Sequence, residues 1–287
     1  MALEDFNDIK CRINNCLDYL DSDFIDLISD PRINKYSFRQ RMYELLVCEY
    51  LIEKKCINKR PDGIPLNEGP DFHFDNTYIE CVLPTQGESN SPDYLTTFDD
   101  KEPDDDGCWG TLFVDERAAK LRITNAIDAK LKQYQNWKNK PWFKPENQFV
   151  LFMNVFDIES GYLDTDHIPY LISILYGAIL GYNMSTKEYY IDKKVIINKR
   201  KGSKVELGIF NKKDTHLDNP NPIAVICCSA INTSFPSQGL SSNNIINLYK
   251  YENIQIDQKL IRNNKLLSDI TFHPAYVRYF AEYVNKI

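Results

Sequence analysis

Two carboxylates that lie close together in the chain have the residue type and setting needed for metal chemistry. Asp71 follows Gly69-Pro70, and Glu80 has apolar neighbours on both sides. A carboxylate inside an apolar strand is costly to bury unless it is paired or binds a cation. Hard oxygen ligands suit Mg²⁺ or Mn²⁺, and such a metal can activate water and offset the charge of a phosphodiester during cleavage. The pair therefore predicts a divalent-cation site.

A β-hairpin is the element that must bring the two carboxylates together. Strand-like runs at Asp71–Phe74 and Thr77–Leu83 are separated by Asp75-Asn76, a pair typical of tight turns. Carboxylates on two adjacent strands can converge on one point. A helix from Phe38 to about Lys55, capped by Ser37, is predicted to precede the hairpin.

The other segments continue the alternation of helices and strands. The pattern predicts a helical lead-in over 1–30, a helix over Asp115–Trp137, a strand over Phe149–Val155, a buried helix over Ile168–Leu180, a basic hairpin at Val195–Asn198 and Val205–Phe210, a central strand over Ile223–Ile231 and a helix from Tyr276 onward. This order is typical of an α/β fold with a central mixed β-sheet flanked by helices. We expect a single domain over 1–287, with a lead-in at 1–37, a core at 38–240 and a C-terminal extension at 241–287.

The bulk composition is that of an ordinary globular protein. Hydrophobic residues make up 43% and charged residues 26% of the chain, and no apolar run approaches the roughly 20 residues that span a bilayer. The acidic start predicts no Sec-type signal peptide, and cysteines without a C-x-x-C pair predict reduced, structural thiols. We expect a cytoplasmic protein without a membrane partner; an effector secreted without a Sec signal is the alternative.

The formal net charge of −7 bears on nucleic-acid binding. Phosphate backbones are bound through Lys and Arg, so an acidic protein must concentrate positive charge locally. The lysine-rich segment 193–213 does so, and it reads more simply as a solvated hairpin than as a phosphate-binding patch. The acidic segment Asp99–Asp106 lies in a long polar loop over 85–110, which is a candidate lid over the site.

Pro70-Asp71, followed by Glu80 in the next strand, resembles the PD-(D/E)XK motif of restriction-endonuclease-like nucleases. The preceding helix around Arg41-Met42-Tyr43-Glu44-Leu45 is similar to the first core helix of that fold, which often supplies a third metal-ligating glutamate, and Glu44 is the match. The helix at 122–134 is similar to the helix that follows the motif strands, where many members place Lys, Arg or Gln facing the site. The resemblance covers residues 38 to 155.

This resemblance implies a restriction-endonuclease-like core and a function. Mg²⁺ or Mn²⁺ would be held by Glu44, Asp71 and Glu80. The reaction would be hydrolysis of phosphodiester bonds in nucleic acid, with DNA favoured over RNA as the substrate. Nucleases of this fold often dimerise, so a homodimer is a further expectation.

One position departs from the family pattern. The family's lysine, which positions water and stabilises transition-state charge, should stand at position 82, where this chain has Val82. Some members recruit Lys or Arg from the next helix instead. We hypothesise that Lys130 replaces the missing lysine, with Arg122 and Gln133 nearby on the same helix. The rival hypothesis is that Val82 marks a non-cleaving member that binds a protein partner, as a defence component or a secreted effector.

Each candidate residue also has a structural interpretation. Glu44, Lys130 and Arg122 could be exposed helix charges, and Asp71 could cap a turn. Glu80 is harder to explain in this way, because its apolar neighbours predict that it is buried. The order and spacing of the set favour the metal site over these separate explanations.

Overall fold

A computed structural model describes the elements that carry the candidate site. The residues it describes are 3–20, 24–30, 32–59, 64, 68–87, 94–95, 116–159, 174, 179–183, 185–186, 188–192, 196–198, 204–206, 223–229, 233 and 245–250. The acidic segment 99–106 and the helix predicted from Tyr276 onward lie outside these ranges.

The chain divides into two compact units, each made of separate segments. The first unit contains Met1–Leu83, Ala129–Asn154 and Pro222–Lys286, and the second contains Pro84–Asp128 and Val155–Asn221. The organisation as one domain stays a prediction.

Three helices open the first unit and confirm the predicted helical lead-in and the helix after it. They are α1 (Leu3–Cys16), α2 (Phe24–Ser29) and α3 (Lys35–Glu53). Residues 42–48 of α3 are all buried. Because a helix buried over consecutive positions needs apolar cover on more than one side, α3 is a core helix rather than a surface helix. Its neighbours in this core include Ile9 and Ile13 of α1 and Phe24 of α2.

The N-terminus of α3 is capped by Asn34, so the prediction that Ser37 is the cap was wrong. The Asn34 side chain accepts hydrogen bonds from the backbone N–H groups of Tyr36 and Ser37 at 3.1 and 2.9 Å. Ser37 lies inside the first turn, where its own N–H is one of the groups that need an acceptor. The helix therefore begins three residues earlier than predicted.

We predict from this cap how mutations of Asn34 and Ser37 change the free energy of unfolding. Asn34→Ala should lower the free energy of unfolding by about 1 kcal/mol, because the two N–H groups lose their acceptor. Ser37→Ala, three residues away, should change it by no more than a few tenths of a kcal/mol. Urea unfolding of both variants measures the difference, and equal effects would contradict the assignment of Asn34 as the cap.

A five-stranded mixed sheet forms the centre of the first unit. Its strands are β1 (Phe72–Phe74), β2 (Thr77–Val82), β3 (Gln148–Asn154), β8 (Ile223–Ser229) and β9 (Ile245–Lys250), in the order β1-β2-β3-β8-β9. The β1–β2 and β8–β9 pairs are antiparallel, whereas β2–β3 and β3–β8 are parallel. The sheet confirms the predicted α/β class. Of its five strands, β9 alone was not predicted.

The predicted hairpin and the helix that follows it are both confirmed. Asp75 occupies the turn with a φ of 46°, a left-handed conformation that Asp tolerates better than most residues. Helix α4 (Glu116–Trp137) connects the parallel strands β2 and β3, as a crossover connection must. From residue 129 onward α4 belongs to the first unit.

Strand β2 is buried along its whole length, and its side chains alternate between two faces of the sheet. Ile79 and Cys81 pack in the core that contains α3. On the opposite face, the ring of Tyr78 lies 6.0 Å from that of Trp137 in α4. Glu80 shares this second face. It therefore stands in the middle of a covered strand, facing the C-terminal half of α4.

Aromatic packing fixes that half of α4 against the sheet. The Tyr134 ring stacks on Phe149 of β3 at a centroid distance of 4.9 Å, and Trp137 lies edge-on to Phe149 at 5.7 Å. Aromatic pairs at these distances add to the burial energy of each ring. The packing sets the position of the preceding turn of α4, which carries Lys130 and Gln133.

The second unit contains two short hairpins. They are formed by β4 (Ile179–Asn183) with β5 (Glu188–Asp192), and by β6 (Ile196–Asn198) with β7 (Lys204–Glu206), and the short helix α5 (Phe156–Glu159) precedes them. The β6–β7 pair confirms the predicted basic hairpin. Most of the helix predicted over Ile168–Leu180 lies outside the described residues, but its end was wrong because Ile179 and Leu180 begin β4. Short apolar runs do not distinguish helix from strand, and pairing with β5 decided between them.

Two further properties follow from the described residues. None of the helices described is both long and apolar enough to cross a bilayer. The five cysteines whose side chains are described are all free thiols, as predicted, and they are Cys11, Cys16, Cys48, Cys56 and Cys81.

Candidate metal centre

Asp71 and Glu80 lie opposite each other on the hairpin. Each carboxylate accepts a hydrogen bond from a backbone N–H group on the other arm of the hairpin. Phe72 pairs with Ile79 in the antiparallel register, which places Asp71 opposite Glu80. The Asp71 N–H donates to Glu80 Oε1 at 3.1 Å, and the Cys81 N–H donates to Asp71 Oδ2 at 2.7 Å. Glu80 is fully buried. The hairpin therefore brings the two carboxylates together, as its turn and strand pattern predicted.

Glu44 enters the same region from α3. It is 6% exposed, so it is not a solvated helix charge. Its Oε1 accepts from Gln40 Nε2 at 2.9 Å, and its Oε2 accepts from the Arg41 guanidinium at 2.7 Å. Burial, and to a lesser extent the charge of Asp71, raise the pKa of Glu44. The structure thus brings Asp71 and Glu80 into contact on the hairpin, and Gln40 connects Glu44 to the Cys81 carbonyl of β2.

Two side chains of α4 reach Glu80. The Lys130 ammonium donates to Glu80 Oε2, and Gln133 Nε2 donates weakly to Glu80 Oε1 at 3.4 Å. The Lys130 side chain is 19% exposed and that of Glu80 is 0% exposed, so this ion pair is largely removed from water. Lys130 and Gln133 are one turn apart on the helix, which is why both face the same carboxylate.

Arg122, the remaining predicted residue, has its described contacts elsewhere. It belongs to the second unit, where its Nε donates to the Thr85 carbonyl at 2.8 Å. Its guanidinium also lies against Gly87, where a Cβ would come within 2.9 Å of it. Arg122 thus binds the segment that follows the motif strand. A role for Arg122 beside Glu80 stays a prediction.

Burial raises the pKa of two of the three carboxyl groups. Burial, and then the charge of Asp71, raise the pKa of Glu44 to about 7, although Arg41 opposes the shift. Burial and Asp71 likewise raise the pKa of Glu80 to about 8, against the attraction of Lys130. Raised carboxyl pKa values mean that the ionised forms are disfavoured in this environment.

The same carboxylates act on the pKa of Lys130. Burial alone disfavours its ammonium form, but the charges of Glu80, Asp71 and Glu44 outweigh burial and raise the pKa of Lys130. Burial and the same carboxylates raise the pKa of the Cys81 thiol well above its ordinary value. Lys130 is thus a permanent cation at neutral pH, and Cys81 is a neutral thiol rather than a thiolate ligand.

Carboxylates are the type of ligand that suits a divalent cation. Glu44 and Glu80 are buried, and Asp71 is half-buried. Among the residues that the structure describes, no three His, Cys, Asp or Glu side chains converge as a ligand group. The residues that would hold the cation are Glu44, Asp71 and Glu80.

No known relative adds to this assignment. Comparison with protein-family models, curated proteins and solved structures gave no match to the chain. The resemblance to restriction-endonuclease-like nucleases therefore depends on the motif residues and on their arrangement.

Gln40 is a member of the site that the sequence analysis did not identify. Its Nε2 donates to Glu44 Oε1 at 2.9 Å and to the Cys81 carbonyl at 3.2 Å, and its Oε1 accepts from the Leu83 N–H at 2.9 Å. The side chain thus connects α3 to the end of β2 and orients Glu44. The only sequence signal was its position one turn before Glu44 on the same helix face.

We predict that Gln40→Ala lowers the free energy of unfolding by about 2 kcal/mol, because the buried Leu83 N–H loses its acceptor and Glu44 Oε1 loses its donor. Urea unfolding measures this decrease in the free energy of unfolding. Gln135→Ala is the control, since it removes a half-buried glutamine from α4 with no hydrogen bond described to the carboxylates. An equal cost for both variants would show that Gln40 does not connect α3 to β2 in the way the hydrogen bonds indicate.

Proposed function

We propose that this protein is a Mg²⁺- or Mn²⁺-dependent nuclease with a restriction-endonuclease-like core. The observation that carries the proposal is the pairing of Asp71 and Glu80 across the hairpin, with Lys130 of α4 donating to Glu80 and with Glu44 buried on α3. The order of elements supports it as well, because a core helix, a hairpin, a second helix and a parallel strand follow one another. This is the order that the motif resemblance implies for residues 38 to 155.

The roles of the residues follow from their contacts. A divalent cation bound by the three carboxylates would activate water and stabilise the charge that develops on the phosphodiester. Lys130 keeps its proton, so it acts as a hydrogen-bond donor and a positive charge rather than as a general base. Gln40 and Arg41 hold Glu44 in position, and Gln133 supports Glu80.

Lys130 takes the role that the family's motif lysine would have. Val82 occupies the expected position and is 7% exposed, so strand β2 offers no cation there. Tyr78, Glu80 and Val82 alternate onto the face that packs against α4, and Lys130 approaches Glu80 from that side. Lys130 can therefore take the role of the motif lysine, which is absent at position 82, without any change in the order of helices and strands.

A second candidate function is binding without cleavage, and the buried valine at position 82 favours it. A nuclease fold that lost its chemistry would keep the helices and the sheet for a protein partner, because fold does not determine function. The carboxylate cluster argues against this alternative, since a protein freed from catalysis gains stability by losing buried charges.

The test is cleavage of supercoiled plasmid, single-stranded DNA and RNA with Mg²⁺, with Mn²⁺ and with EDTA. We expect cleavage that needs a divalent cation, with DNA cut faster than RNA. Thermal melting without nucleic acid gives an independent reading, because a ligand that binds only the folded protein raises its melting temperature. No cleavage together with no shift at millimolar Mn²⁺ would favour the binding protein.

A further inference from the structure

The N-terminal half of α3 concentrates positive charge on an acidic protein. Residues 31–43 contain four basic residues and no Asp or Glu, in a chain whose formal net charge is −7. Lys35 is exposed and Arg39 is half-buried. Because they are four residues apart, they lie on one side of the helix, about 6 Å from each other along its axis. We call these two side chains the basic face of α3.

The stability of the helix itself does not explain the basic face. The N-terminus of a helix dipole is positive, so Asp or Glu is favoured in the first turn and a cation is not. Helix α3 has no acidic residue in its first turn, and Lys35 stands at its first position. Arg39 adds a second positive charge at i+4, where like charges repel. Side chains that break such local rules are expected at functional positions.

The basic face belongs to the helix that also contributes to the candidate site. Gln40 follows Arg39 in the chain, and its side chain accepts from the Leu83 N–H at the end of β2 at 2.9 Å. Glu44 lies about 7.5 Å beyond Arg39 along the helix axis. Arg41 pairs with Glu44 at 2.7 Å, so this carboxylate does not cancel the charge of the basic face. An anion bound there would therefore lie close to the candidate site.

We propose that the basic face of α3 is a docking surface for the phosphate backbone of nucleic acid. The inference rests on the proposed function for the identity of the partner, but binding at this surface needs no metal. Nucleic acid is bound through Lys and Arg side chains that neutralise phosphates. Arg can hold a phosphate with two parallel hydrogen bonds, and Lys acts as a point charge. The positive end of the helix dipole adds to the attraction.

The test is binding of a fluorescently labelled DNA duplex, measured by anisotropy in EDTA so that cleavage dependent on a divalent cation cannot interfere. The double variant Lys35→Gln/Arg39→Gln should bind about tenfold more weakly than the wild type. The slope of log affinity against log salt should become shallower by about 2, because two phosphates are no longer neutralised. Lys35→Arg/Arg39→Lys keeps both charges and should bind like the wild type.

Lys54→Gln/Lys55→Gln is the charge-matched control. It removes two positive charges at the C-terminal end of the same helix. Arg39 and Lys54 are about 22 Å apart along the axis, well beyond the screening length of about 8 Å at physiological salt. We therefore expect the control to change the affinity for DNA by less than about twofold.

Circular dichroism and thermal melting separate weaker binding from loss of the fold. Melting of Lys35→Gln/Arg39→Gln close to that of the wild type shows that the change in affinity comes from the lost charges. If the double variant does not fold, Lys35→Gln alone tests the surface, because Lys35 is exposed. The salt dependence of its binding should then become shallower by about 1.

The outcomes separate the inference from the proposed function. Unchanged affinity of Lys35→Gln/Arg39→Gln, in a protein whose wild type binds and cleaves DNA, would overturn the docking surface and leave the nuclease standing. A wild type that binds DNA through this surface but does not cleave it would support the docking surface and count against the nuclease.

Two further results would overturn the inference. An equal loss of affinity in Lys54→Gln/Lys55→Gln would show that only the total charge of the protein matters. Displacement of the duplex by polyglutamate as efficiently as by unlabelled DNA would show that the surface attracts any polyanion, and it would favour an acidic protein as the partner.

Discussion

Replacing Glu80 with alanine is expected to lower metal-dependent cleavage by about 10³-fold, which corresponds to about 4 kcal/mol of transition-state stabilisation. Glu80 is the residue on which the site converges. It accepts hydrogen bonds from Asp71, Lys130 and Gln133, and it is fully buried in the middle of β2. Its removal takes away a proposed metal ligand and breaks the ion pair with Lys130.

The measurement is the initial rate of plasmid cleavage at saturating Mn²⁺. Because Glu80→Ala also opens a cavity and leaves a buried charge unpaired, circular dichroism and melting must show that the variant is folded. Glu80→Gln provides a second variant of nearly the same shape. Glu53→Ala is the matched control, since Glu53 is an exposed glutamate on α3 and its loss should leave the rate unchanged. Full activity in folded Glu80→Gln would exclude the proposed centre.

Asp71→Asn is expected to have opposite effects on stability and on activity. The asparagine carbonyl can still accept the hydrogen bond from the Cys81 N–H, so the hairpin keeps its geometry. The negative charge that helps to raise the pKa of both Glu44 and Glu80 is removed. We expect metal-free Asp71→Asn to be more stable than the wild type by about 1 kcal/mol at pH 8, and to lose most cleavage.

The sign of the pH dependence follows from the direction of the two shifts. The folded protein holds the protons of Glu44 and Glu80 more tightly than the unfolded chain does, because both pKa values lie above the ordinary 4.5. The resulting stabilisation is complete below that value and is lost as the pH rises through about 7 for Glu44 and about 8 for Glu80. With Asp71 neutralised both pKa values fall, so the variant should lose less stability over this range.

Melting in EDTA at pH 5, 7 and 8 tests this prediction. The wild type and Asp71→Asn should be close at pH 5 and should diverge as the pH rises, and millimolar Mn²⁺ should stabilise the wild type alone. Asp75→Asn is the control, because it neutralises an exposed aspartate in the turn of the same hairpin and Asn suits the left-handed conformation found there. A metal-free Asp71→Asn protein less stable than the wild type at every pH would show that Asp71 supports the hairpin rather than a cation.

Several elements were predictable from local pattern because their cause is local. The turn residues Asp75-Asn76 fixed the hairpin, and with it the register that sets Asp71 opposite Glu80. The apolar neighbours of Glu80 predicted its burial, and the periodicity of residues 116–137 predicted α4. Local pattern was insufficient where two conformations suit the same residues. Ile179 and Leu180 form a strand because β5 pairs with them, and Asn34 rather than Ser37 caps α3.

The parts of the site that depend on distant contacts came from the tertiary structure. Gln40 contacts Cys81 and Leu83 across more than 40 residues of chain, and no spacing rule links them. Lys130 was a hypothesis on motif grounds, and only the packing of Tyr134 and Trp137 on Phe149 turns that side of α4 toward Glu80. The sequence by itself identified the candidate metal-binding residues, because the charge of each side chain and the polarity of its neighbours are known from the sequence. The contacts of Lys130 and Gln133 with Glu80 were decided by the packing of α4 on the sheet, because contacts between distant segments form only when the core packs.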